Sequence, residues 1–63
     1  SPAERLAEIK KAASHPNPAQ RAHLARTLAE FPILASDPDV CRLIAPLKQD
    51  PVPAVRGAMK WAA

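Results

Sequence analysis

The stretch "HPNPAQR" at 15–21 returns as "DPVPAVR" at 50–56, in a chain that holds eight prolines and one glycine. Proline lacks an amide donor and has a fixed φ, so it suits the first turn of a helix and disrupts a helix interior. A helical chain with this many prolines must set them at helix boundaries, which keeps the helices short. Pro16 and Pro51 stand thirty-five positions apart, and the same offset brings Pro18 onto Pro53, Ala19 onto Ala54 and Arg21 onto Arg56. Upstream it aligns Leu6 with Cys41, Ile9 with Ile44 and Ala12 with Leu47, all apolar, while His15 takes the place of Asp50. The chain reads as two copies of one helix-turn-helix unit, about 1–34 and about 36–63, with the paired prolines marking each unit's inter-helix turn.

Start signals define four helices. Ser1-Pro2-Ala3-Glu4 combines a capping serine, a proline at the first helical position and a glutamate three residues after the cap. Leu6, Ile9 and Ala13 then form one apolar stripe, opposite most of the charges. Asn17-Pro18 repeats the start, with Leu24, Leu28 and Phe31 as the stripe that is expected to be buried, and Pro32 ends that helix by disfavouring helical geometry in the residue before it. Ser36-Asp37-Pro38 opens a third helix carrying Val40, Leu43, Ile44 and Leu47, in which Pro46 predicts a kink or an early end near Ala45. Asp50-Pro51-Val52-Pro53 opens a fourth with Val55, Ala58, Met59 and Ala62 inward, weakened at Gly57 by about 1 kcal/mol relative to alanine. The expected fold is all-α: one domain over 1–63, built of two antiparallel helix-turn-helix units stacked as an α-solenoid fragment.

At 63 residues the chain makes one domain at most, and a chain of this size buries only about 60% of the surface its unfolded form exposes. With one Phe, one Trp and alanine as its commonest apolar residue, its core must be thin and closely packed. The net charge of +3 permits an acidic partner but falls short of the dense basic patch of a dedicated nucleic-acid binder. Cys41, the single cysteine, cannot form an internal disulfide, and no basic segment followed by an apolar secretory run opens the sequence, so the expected setting is reducing and cytoplasmic. Charges interrupt the chain before any apolar stretch reaches the roughly 18 to 20 residues that would span a bilayer.

The segment "DPVPAVRGAMKWAA", an Asp-Pro turn followed by Val-Arg and an alanine-rich helix, resembles the HEAT repeat family, and the resemblance extends over nearly the whole chain. It implies stacked pairs of antiparallel helices in which the aspartate and arginine hydrogen-bond within or between neighbouring units. Asp50, Val55 and Arg56 match that pattern, whereas the first unit has His15 for the aspartate and Gln20 for the valine, which puts its share of an Asp–Arg ladder in question. The period is shorter than the roughly 40 to 47 residues of HEAT and armadillo arrays and lies near the tetratricopeptide value, but the Trp, Gly and Tyr positions of a tetratricopeptide are missing. The leucine-rich repeat variant, which shares this style of turn, is a second resemblance. Two units are fewer than the three or so that bury a continuous core, so the expectation is a fragment of a longer array, a chain that pairs with itself, or one whose end a partner covers.

Catalytic constellations are sparse. Ser14 and His15 are adjacent, but a nucleophile and its base need side chains converging at about 3 Å, which sequence neighbours rarely achieve. His15, His23 and Cys41 lack metal-ligand spacing, one glycine precludes a glycine-rich phosphate loop, and no cofactor is implied. His23 is expected partly buried beside the stripe, and Cys41 buried as a small apolar residue. The remaining candidates are contact residues. Arg21, Arg26, Arg56 and Lys60 lie on the second helix of each unit, where stacked helical pairs line a common surface, and Met59 and Trp61 stand at the last helix. The strip can meet a carboxylate-rich protein or nucleic-acid phosphates, or Arg21 and Arg56 can be tied to turn carbonyls and Asp50 within the stack. The expected function is a non-enzymatic protein-interaction scaffold, with a nucleic-acid-contacting module as the alternative.

Overall fold

Every α-helix in the computed structural model, which describes residues 1–63, begins on a proline. They are α1 (Pro2–Ala13), α2 (Pro18–Ala29), α3 (Pro32–Ala35), α4 (Pro38–Ile44) and α5 (Pro53–Ala58), with a 3-10 segment, Ala45–Gln49, between the last two. There is no strand. The residues before the prolines supply the caps. Ser1 and Glu4 form a reciprocal capping box, Asn17 Oδ1 accepts the Ala19 amide at 2.9 Å, and Asp37 Oδ1 accepts the Asp39 amide at 2.8 Å.

Five α-helices stand where four are expected, and two prolines account for the difference. Pro32 keeps Phe31 out of the helical conformation, at φ −128° and ψ 72°, so α2 stops at Ala29 and a new helical turn starts at Pro32 itself. Phe31 therefore leaves the buried stripe and is 54% exposed, and Ile33 beyond it is 90% exposed. Pro46 has no amide to continue the ladder, so α4 ends at Ile44 and the chain tightens into the 3-10 segment. The last helix also closes early. Met59 and Lys60 donate to the carbonyls three residues back, Arg56 and Gly57, as a tightened final turn.

α1 packs against α2 and α4, α2 packs against α5, and the short α3 lies against α2 and α4. Ile9 of α1 shares one core with Ala22, Ala25 and Leu28 of α2, Val40 and Ile44 of α4, Leu47, Val55 and Met59. Alanines on α2 bring the helices close, while the β-branched and long side chains from 40–59 fill the space. Fully burying each Val, Ile, Leu or Met contributes about 1.5–3 kcal/mol. The radius of gyration is 10.5 Å, that of a fully compact chain of this length, about 10.6 Å.

Besides Phe31, two expected burials are not found. Cys41 is exposed, with its thiol donating to the Ala35 carbonyl at 3.1 Å; its repeat equivalent, Leu6, is itself only half-buried. His23 is exposed because the buried face of α2 runs through Ala22, Ala25 and Leu28.

Candidate functional site

The two inter-helix turns are built alike, atom for atom in part. In the second, Asp50 Oδ1 accepts the Val52 amide at 2.9 Å; in the first, His15 Nδ1 accepts the Asn17 amide at 3.0 Å. Each turn's carbonyl at that position is held by the arginine six residues on: Arg21 Nη1 donates to the His15 carbonyl at 2.7 Å, and Arg56 Nη1 to the Asp50 carbonyl at 2.6 Å. Imidazole thus substitutes for carboxylate as the local acceptor.

The turns differ in what happens next. Arg21 reaches across to the second turn, where its Nε donates to Asp50 Oδ2 at 2.8 Å and its Nη2 to Oδ1 at 3.1 Å. This is the fork-to-fork geometry in which a guanidinium binds a carboxylate most specifically. The Asp50 side chain is 6% exposed and that of Arg21 14%, and Asp50 is the only buried charged residue. The Arg21 hydrogen bonds, then the Val52 amide, hold the Asp50 carboxyl below its ordinary range against the opposing effect of burial. The same hydrogen bonds raise Arg21. Arg21 of α2 thus pairs with the aspartate of the second turn rather than with a residue of its own.

Of the candidate contact residues, Arg21 is engaged in this clasp and Met59, 2% exposed, lies in the core. Arg26, Arg56 and Lys60 are exposed. Trp61 donates its indole N–H to the Ala25 carbonyl at 3.1 Å and keeps 39% of its surface exposed, so it joins the last turn to α2 and still presents part of its ring. No acidic residue occurs in 15–29 or 51–63, and the cations of α2 and of the stretch after Asp50 are opposed there only by Asp50. The acids otherwise sit on α1, at Glu30, and at Asp37 and Asp39 near the start of α4.

Ser14 and His15 do not converge: the Ser14 hydroxyl donates to the Lys10 carbonyl at 3.0 Å, and His15 Nδ1 is taken by the Asn17 amide. No group of three or more His, Cys, Asp or Glu side chains is placed to hold a metal ion. No helix is long and apolar enough to cross a membrane.

Two features were not legible in the sequence. A groove of about 490 Å³ runs between the end of α2, α3 and α4, with Pro32, Cys41, Ile44 and Trp61 in its wall. The exposed Phe31 and Ile33 flank a second, open hollow with Arg5 and Asp37 at its rim. Both depend on Pro32 starting a helix, and a proline that ends one helix carries no separate signal that it begins another.

No family model matches the chain, no curated protein shows significant similarity to it, and no solved structure does.

Proposed function

We propose that the chain is a non-enzymatic protein-interaction module in which two HEAT-like helix pairs stack side by side as a short α-solenoid. The observation that carries this reading is the Arg21–Asp50 clasp, which joins equivalent turns of the two copies across 29 residues of sequence. The pairing of α1 with α4 and of α2 with α5 supports it, since first helix then lies on first helix and second on second. In such a stack the second helices form one layer, and here that layer presents Arg26, Arg56, Lys60 and the exposed part of Trp61. Cations unopposed by neighbouring acids, beside an aromatic ring, suit an acidic protein surface. Proteins retained by the immobilised wild-type chain are expected to be lost with an Arg56→Ala, Lys60→Ala double variant that folds normally; equal retention by both overturns the strip as the contact surface.

One observation favours a second reading. The same unopposed cations can meet nucleic-acid phosphates. Anisotropy of a labelled mixed-sequence duplex, titrated at low and moderate salt, separates the two. Phosphate contacts by Arg26, Arg56 and Lys60 would give a log–log salt slope of about −2.7. The protein-module reading expects no saturable binding even at low salt.

A further inference from the structure

Only three large apolar side chains are exposed, and two of them flank Pro32: Phe31 is 54% exposed and Ile33 90%. Both stand in the wall of an open hollow of about 620 Å³, together with Leu34, Arg5 and Glu30. Apolar residues exposed singly are ordinary on a protein surface, whereas neighbouring ones beside a hollow mark a place where something docks. The fold does not need either side chain at the surface. Of the four residues of α3, Ala35 is buried in the core and Leu34 packs partly against it, while Ile33 and the preceding Phe31 have no part in that core.

The rim carries both signs of charge, unused. Arg5 of α1 and Glu30 at the end of α2 are exposed, and neither side chain makes an ion pair or hydrogen bond within the chain. Asp37 differs, because its Oδ1 already accepts the amides of Asp39 and Val40. A face that sets a projecting apolar side chain beside a hollow, and a free cation beside a free acid, is complementary to itself under a twofold rotation.

We propose that two copies of the chain pair through this face. Each Ile33 enters the hollow of the other copy beside Phe31, and each Arg5 meets the other copy's Glu30, so every contact occurs twice. A partner of a single charge sign would satisfy only one of the two charges, and a phosphate surface would be repelled by Glu30 and Asp37. Seven residues line the hollow, against the roughly 20–30 a side of a standard interface, so the pair is weak and forms at concentrations on the order of 0.1–1 mM. None of Arg26, Arg56, Lys60 and Trp61 lines this hollow, so the pairing goes beyond the strip and does not depend on it.

Sedimentation equilibrium of the full chain between about 10 µM and about 1 mM is expected to show monomer and dimer in exchange. Diluting the ¹⁵N-labelled chain over the same range should move the amides of Glu30, Phe31, Ile33 and Leu34 and leave Gly57 fixed. Ile33→Ser, at so exposed a position, should keep the urea midpoint of the monomer and weaken the pair about tenfold. Arg5→Glu and Glu30→Lys each bring like charges together at two points and should weaken it about threefold or more. Each reversed charge suits its helix end, so neither variant should lose stability. Mixed in equal amounts, these two variants should pair with each other about as tightly as the wild-type chain pairs with itself. The two reversed charges then meet, and the remaining Arg5 meets the remaining Glu30. A chain that stays monomeric at about 1 mM, concentration-dependent shifts at Gly57 in place of Ile33, or a mixture as weak as its separate components overturns the pairing.

Discussion

Asp50 is the residue on which three parts of the chain converge: Arg21 from α2 and the Val52 amide of its own turn on its carboxylate, and Arg56 on its backbone carbonyl. Its folded-state pKa is depressed, so the stability it contributes is present above the unfolded value and lost as pH falls through the folded one. Urea midpoints of the wild-type chain should therefore drop as pH is lowered below about 4. Asp50→Asn, which keeps an acceptor for Val52, should be less stable at neutral pH and lack that part of the acid dependence; an unaltered pH profile would contradict the assignment. Gly57→Ala belongs to the same scale with the opposite sign. In open space with ordinary helical φ, it should stabilise the chain by about 0.5–1 kcal/mol in urea titrations.

At the scale of elements, proline placement made most helix starts readable. Pro2, Pro18, Pro38 and Pro53 each occupy a first helical position, preceded by Ser1, Asn17, Asp37 and Val52 as caps. Asn17→Ala, which removes the acceptor for the Ala19 amide, should cost about 1 kcal/mol and lower the helical circular dichroism at intermediate urea. What periodicity could not supply was the outcome of competition at Pro32, where a stop and a start coincide, and it left Phe31 and Ile33 assigned or ignored by default. Cys41 and His23 show a related limit, because apolar spacing identifies a face but tertiary contact decides how wide that face is. Arg21 was readable as a turn arginine. Its carboxylate partner lies in the other turn, and a sequence offset alone does not say which turn the fork will reach.

At the scale of the molecule, five short helices and a 3-10 segment share one thin core, so stability is concentrated in few side chains. A chain of this length has about 3–9 kcal/mol in total, and Met59→Ala, at a position 2% exposed, should remove about 2–5 kcal/mol of it in chemical denaturation. Unfolding should also be a single transition. Trp61, anchored to the Ala25 carbonyl of α2, should report the same fluorescence midpoint as circular dichroism at 222 nm reports for all helices. Separate midpoints would mean that the units unfold independently. The account as a whole rests on the claim that the Arg21–Asp50 pair joins the two units, and a double-mutant cycle tests it most directly. Urea unfolding at neutral pH would compare wild type, Arg21→Met, Asp50→Asn and the double variant. The account predicts that either single change lowers stability clearly and that the double variant loses much less than the sum. Additive losses, or single variants as stable as wild type, would contradict it.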